Sequence, residues 1–120
     1  GASSAGTASY TTQQGNYTKI GNQVTCYFRV DWNSATGTGS LLINGLPFTS
    51  GSGNARFGGG PIYGMGTSTV YLANYTQVLQ VQNGSAVIYV ECIPVGGGQD
   101  TPATVKATGI ILGMVTYQTA

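Results

Sequence analysis

Histidine is absent from this 120-residue chain, which also has only four Lys or Arg and three Asp or Glu residues. Without histidine, the chain lacks the usual base that activates a Ser or Cys nucleophile, and it lacks a common metal ligand. Three scattered acids do not form a recognisable cation-binding pattern either. We therefore expect no catalytic residues, no metal site and no cofactor.

The scarcity of charge also restricts the partners. A formal net charge of +1 leaves no basic patch for nucleic acid or for an anionic membrane, so neither is expected to bind. Charged residues make up 6% of the chain, against roughly a quarter in ordinary domains. Either sister subunits cover much of the surface, or Ser, Thr, Asn, Gln and Gly coat it.

Long apolar runs are missing as well. No run approaches the roughly 18 residues needed to cross a membrane, and the first residues have neither the basic end nor the apolar stretch of a signal peptide. We expect residues 1–8 to form a flexible linker or the remnant of a junction, and residues 9–120 to form one domain.

Cysteine occurs only twice, as Cys26 and Cys92. Each shares a strand face with apolar neighbours, which favours two buried free thiols. A disulfide stays open, because the sequence does not show whether the two strands are neighbours.

What the chain does contain is glycine, 20 residues of it, with frequent Thr, Val and Tyr. This composition indicates β-strands joined by many turns. Alternation is clearest in Gln23–Trp32, where Val24, Cys26, Phe28, Val30 and Trp32 share one face. Further strands are predicted at Ala8–Thr12, Tyr17–Ile20, Ser40–Asn44, Thr67–Ala73, Thr76–Gln82, Ser85–Cys92 and Val105–Gln118.

Turns separate these segments. Asn83-Gly84 is a strong hairpin signal, and turns or loops are predicted at Gly15-Asn16, Gly21-Asn22 and Gly58–Pro61. The last strand is expected to bulge or break at Gly109 and Gly113. Short strands at this spacing, with no helical period between them, predict an all-β fold, an antiparallel β-sandwich or jelly roll.

One stretch carries a family resemblance. Its parts are "YTKIGN" at Tyr17–Asn22, the alternating "QVTCYFRVDW" at Gln23–Trp32, a polar turn at Asn33–Gly39 and "GLPF" at Gly45–Phe48. Together they resemble a module of tail fibres, tailspikes and other virion surface proteins of bacteriophages. The resemblance covers roughly the first half of the chain.

This resemblance implies a small jelly-roll domain at or near the C-terminus of a fibre, usually a homotrimer on the virion surface, outside the cell. Members of the family serve as trimerisation caps, as heads that bind a host-receptor glycan, or as both. The module carries no catalytic motif, so no enzyme activity is expected from it.

Glycan binding requires aromatic faces for sugar C–H groups, and amides or hydroxyls for sugar hydroxyls. The loops Asn33–Gly39, Ser50–Tyr63 and Asn74–Tyr75 offer such groups. The candidate ligand-binding residues are Asn33, Asn54, Arg56, Tyr63, Asn74 and Tyr75. The simpler interpretation of the tyrosines is strand pairing, and Trp32 is expected in the core because it continues the apolar face of its strand.

The leading hypothesis is a trimeric phage fibre or spike head that binds a host surface polysaccharide or lipopolysaccharide. The alternative is a structural trimerisation or capsid-decoration module without a ligand. A small glycan hydrolase is the third hypothesis, because Asp31 and Glu91 both lie on the polar faces of their strands and a glycosidase needs two facing carboxylates. The simpler interpretation is that each acid pairs with a basic residue or faces solvent.

Overall fold

The computed structural model describes residues 1–53, 58–65 and 73–120, and this part of the chain contains eight β-strands and no helix. The strands are β1 (Ser9–Ile20), β2 (Gln23–Asn33), β3 (Leu42–Asn44), β4 (Gly58–Met65), β5 (Tyr75–Val81), β6 (Val87–Pro94), β7 (Thr101–Pro102) and β8 (Gly109–Gln118). The strand predicted at Thr67–Ala73 lies, except for Ala73, outside the described residues.

All eight strands belong to one antiparallel sheet. Its order is β1-β2-β8-β4-β5-β6-β3, and β7 pairs with β6 outside this path. The sheet curls into a half-barrel, so one face becomes an inner face around the core and the other an outer face. The predicted all-β, antiparallel fold is confirmed, while the sandwich or jelly-roll arrangement and the trimer stay predictions.

The core follows from alternation along the central strands. In β2, Val24 and Cys26 are buried, and Trp32 is only 6% exposed. The reason is that the alternating apolar residues of β2 all point to the inner face. The Trp32 indole Nε1 donates a hydrogen bond to the carbonyl oxygen of Lys106 at 3.0 Å. The core placement predicted for Trp32 is confirmed. Inner-face residues of β5, β6 and β8 belong to the same cluster: Leu79, Val81, Ile88, Val90, Cys92, Ile111, Val115 and Tyr117.

Both cysteines are buried and free, as the apolar surroundings predict. Burial raises the pKa of each thiol, because the thiolate is poorly solvated in the core.

The first long strand corrects the sequence prediction. Two short strands were expected with a turn at Gly15-Asn16, but β1 runs unbroken through both residues and pairs with β2 from Thr12–Asp31 to Ile20–Gln23. The only irregularity in this pairing lies between Tyr10 and Thr12. The turn predicted at Gly21-Asn22 is confirmed, with Gly21 at φ 59°.

The glycines of β4 and β8 also have a different role from the one predicted. Gly58–Pro61 is strand and not a loop, and β8 pairs continuously with β2 from Gly109 to Gln118. A Cβ added at Gly58 would overlap Tyr117, and one added at Gly60 would overlap the carbonyl oxygen of Met114. Glycine therefore lets β4 lie close against β8, a requirement that long-range packing sets and local sequence does not show.

The hairpin predicted at Asn83-Gly84 is confirmed. Asn83-Gly84 joins β5 to β6, with Gly84 at φ 68° and a 3.2 Å hydrogen bond from the Ser85 amide to the Gln82 carbonyl oxygen. Near the start of the chain, the amides of Ala2 and Ser3 donate to the carbonyl oxygens of Ser40 and Thr38, both at 3.0 Å. Residues 1–8 thus run beside segment 36–40.

Candidate functional site

The described candidate residues lie at one end of the sheet. Asn33 closes β2, Tyr63 lies near the end of β4, and Asn74 and Tyr75 lie at the start of β5. Because neighbouring strands are antiparallel, the ends of β2 and β4 and the start of β5 point to the same side. Asn54 and Arg56 lie outside the described residues.

These residues differ in what they offer a ligand. Tyr63 is 57% exposed, and the exposed Asn33 amide donates to the Thr11 hydroxyl at 3.3 Å. Asn74 is exposed in a left-handed turn at φ 67°, and its carbonyl oxygen accepts from the Val95 amide at 3.0 Å. Tyr75 is half-buried and packs against the core. The candidates therefore share an end of the sheet, with three exposed side chains, and their binding role stays a prediction.

The acids Asp31 and Glu91 do not face each other. They lie on β2 and β6, which are separated in the sheet by β8, β4 and β5, a path of roughly 19 Å at the usual strand spacing. Asp31 accepts two hydrogen bonds from Arg29, at 2.9 and 2.6 Å, which hold the pKa of its carboxyl below the usual value. Burial and, after it, the charge of Asp100 raise the pKa of Glu91. This pair does not supply the two facing carboxylates of a glycosidase.

A concave site opens elsewhere, between the two edges of the curled sheet. This cleft, called the β1–β3 cleft below, has a volume of about 480 Å³, which is within the range of small-molecule sites. One wall is the inner face of β1 and β2, and the other is β3 with the turn that follows it. The lining residues are 13–17, 26–28, Val30, 43–47 and Ile88.

The β1 wall has an unusual surface. Gln13, Gly15 and Tyr17 share the inner face of β1, and Gly15 lies directly opposite Phe28 of β2. Tyr17 remains 53% exposed, although its ring meets the Phe48 ring edge-on, with centroids 5.5 Å apart. The wall therefore presents the Gln13 amide, a bare stretch of backbone beside Phe28, and the Tyr17 ring, which the Phe48 ring contacts.

The opposite wall is anchored to the core. After β3, Gly45 turns the chain at φ 107°, and Leu46 and Phe48 pack against the core. The Tyr117 hydroxyl donates to the Phe48 carbonyl oxygen at 2.9 Å. This bond ties the turn to β8 and holds the cleft wall in place.

Tyr117 makes this anchor sensitive to high pH. Burial in the core, where Tyr117 is 1% exposed, is the main cause that raises its pKa from 10.0 to about 12. A raised folded-state pKa adds stability that is complete below pH 10 and is lost as the pH rises towards 12. We expect the contribution of Tyr117 to the free energy of unfolding to fall by roughly 1.4 kcal/mol per pH unit in that window.

Urea unfolding of the parent chain and of Tyr117→Phe across this pH range measures the effect. The Phe variant loses the hydrogen bond, but its free energy of unfolding should fall less steeply with pH than that of the parent chain. The two chains share every other titrating group. Parallel declines would contradict the assignment to Tyr117.

The sequence analysis did not single out the residues that line the β1–β3 cleft. Gln13 had no distinguishing signal, while Gly15 had one that was assigned to a turn. Asn44 lies just before the "GLPF" segment, which the sequence analysis used only for the family resemblance.

Within residues 1–53, 58–65 and 73–120, no group of three or more His, Cys, Asp or Glu could hold a metal, and no helix is long and apolar enough to cross a membrane. Comparison with protein-family models, with curated proteins and with solved structures finds no match to this chain.

Proposed function

We propose that this chain is the head domain of a bacteriophage tail fibre or tailspike, a homotrimer on the virion surface that binds a glycan of the host surface. The observation that carries the proposal is the display of aromatic and amide side chains on an almost uncharged all-β domain. Tyr10, Tyr17, Tyr27 and Tyr63 are each about half exposed. Aromatic rings beside amides are suited to polysaccharide or lipopolysaccharide sugars.

The trimer accounts for the low charge. Tyr27 and Met114 are directly opposite each other on the outer face of β2 and β8, and Val78 lies on the outer face of β5 opposite Glu91. Tyr27 is exposed, and Met114 and Val78 are half-buried. An apolar row on a sheet face against which no other described strand packs favours contact between copies. The finer fold that goes with this proposal is a jelly roll.

A trimer also explains how weak sugar contacts become useful. Each subunit contributes one modest binding site, and three sites on one rigid body raise the effective concentration of each site after the first contact. The result is avid attachment to a repetitive surface polysaccharide. No covalent chemistry is required.

The loop-end residues give a direct test. We expect Tyr63→Ala to weaken binding of the trimer to an immobilised bacterial polysaccharide about tenfold, because each lost aromatic contact is multiplied by avidity. Asn74→Gly removes the amide but keeps a residue suited to the left-handed turn, so it should weaken binding without a change in mass. Surface plasmon resonance on an array of polysaccharides, with light scattering as the control for assembly, measures both.

The alternative of a structural module has its own support in the apolar outer row, which needs no ligand to be useful. A trimer that binds no polysaccharide of the array would favour that alternative. Binding that both variants leave unchanged would show that the loop end is not the contact surface.

A further inference from the structure

Gly15 is the exception among the strand glycines whose surroundings are described. At Gly58, Gly59, Gly60, Gly109 and Gly113, an added Cβ would overlap a neighbouring atom. At Gly15 the nearest atoms are the Tyr27 carbonyl oxygen at 3.5 Å and the Phe28 Cβ at 3.8 Å, both ordinary contact distances. Its φ lies outside the left-handed region as well. Neither packing nor backbone geometry therefore requires glycine at this position.

A glycine inside a strand lowers stability relative to other residues, and it often marks a place where a ligand comes close to the backbone. Here the missing side chain uncovers part of the floor of the β1–β3 cleft. Gly15 lies beside the half-buried Phe28, which also lines the cleft and whose ring reaches towards Gly113 on its other side. Gln13 and Tyr17 lie on either side of Gly15 along β1. The opening is thus a bare stretch of backbone between Gln13 and Tyr17, with Phe28 beside it.

The chemistry of the cleft selects an uncharged ligand. Among the described residues that line it, none is charged. The nearby Lys19 ammonium donates to the Gly21 carbonyl oxygen at 2.5 Å and lies 5.6 Å from the centre of the Phe48 ring. An anionic group in the cleft would meet no cation among the described lining residues, and burial of an unpaired charge is costly. Amides at Gln13 and Asn44 remain available for hydroxyl groups.

We infer that the β1–β3 cleft binds a neutral sugar unit, a site separate from the loop end. The inference rests on the proposed function, because the unit belongs to the host glycan. Its C–H face lies over Gly15 and Phe28 and against Tyr17, and its hydroxyls bond to the amides of Gln13 and Asn44. Ser9 pairs with Asn33 at the loop end, and Gly15 is six residues further along β1, roughly 20 Å away. A disaccharide is too short to reach both sites.

The test titrates the full chain with neutral disaccharides (maltose, cellobiose and lactose) and with digalacturonate as the acidic probe, by amide NMR. We expect at least one neutral disaccharide to shift the amide signals of 13–17 and 43–47, and digalacturonate to leave them in place. Gly15→Val fills the uncovered floor, so it should weaken that binding about tenfold or more. Tyr17→Ala should weaken it similarly.

The control is Thr18→Val, which adds valine to the same strand but on its outer face, opposite Thr25. It should bind the disaccharide like the parent chain. Gly15→Ala, whose Cβ meets no atom closer than 3.5 Å, is the second filling variant should valine disturb the fold.

The outcomes separate the inference from the proposed function. A neutral disaccharide that binds equally to the parent, Gly15→Val, Gly15→Ala and Tyr17→Ala would overturn the cleft inference and leave glycan binding intact. If only digalacturonate binds, the cleft inference is also wrong and glycan binding is left intact. If none of the disaccharides and no polysaccharide of the array binds, both proposals are wrong.

Discussion

Gly109→Ala is expected to lower the free energy of unfolding by about 2–3 kcal/mol. Gly109 is buried at the start of β8, and a Cβ there would overlap the ring of Trp32. The ring cannot move away freely, because it is buried and its indole nitrogen is bonded to the Lys106 carbonyl oxygen. Chemical denaturation followed by Trp32 fluorescence measures the loss.

The matched control is Gly15→Ala, another glycine-to-alanine change inside a strand. Its Cβ meets only ordinary contact distances, so it should be neutral or stabilise slightly by restricting the unfolded chain. In a Trp32→Leu background, Gly109→Ala should lower the free energy of unfolding by less, since the overlapping ring is gone. Circular dichroism follows unfolding in that background. If Gly109→Ala and Gly15→Ala lower the free energy of unfolding of the parent chain equally, the packing described for β8 is wrong.

The second large effect concerns assembly. Met114→Glu places a charge in the middle of the apolar outer row, beside Tyr27. If three copies bury this row against one another, an unpaired carboxylate there opposes association. We expect the variant to have the mass of one chain, 12.3 kDa, and to keep the β-sheet circular dichroism spectrum of the parent.

Gln118→Glu is the control for this change. It introduces the same charge on the same strand face, but at the exposed end of β8, and should leave the mass of the assembly unchanged. A trimer that survives Met114→Glu would show that the outer row is not the subunit interface.

Sequence alone predicted those parts of the fold that local patterns determine. Alternation over Gln23–Trp32 indicated both the strand and its inner face, because side chains alternate between faces along a strand. Asn83-Gly84 predicted the β5–β6 hairpin, because Gly84 readily adopts the positive φ that the turn requires. These signals depend only on neighbouring residues.

The sequence analysis misinterpreted glycines whose structural role depends on strands that are distant in the sequence. Gly58–Pro61 has the composition of a loop, yet it is the strand that lies against Tyr117 and Met114. Gly15-Asn16 has the composition of a turn, yet it continues β1. A glycine that permits a tight turn and one that permits close packing are identical in sequence, so only the pairing of distant strands distinguishes them.

The candidate site shows the same limit. Loop positions suggested Asn33, Tyr63 and Asn74, and the strand directions bring these residues to one end. The β1–β3 cleft instead joins segments of β1, β2 and the turn after β3, which come together only because the sheet curls. The separation of Asp31 from Glu91 depends equally on strand order, which the alternation of each strand cannot indicate.

The mass of the unmodified chain in solution tests the central claim, that this weakly charged domain functions as a trimer. Size exclusion coupled to light scattering, repeated over a dilution series, gives that mass directly. The account predicts three times 12.3 kDa, stable on dilution. A single 12.3 kDa species at every concentration would contradict the trimeric head and remove the explanation offered for the apolar outer row.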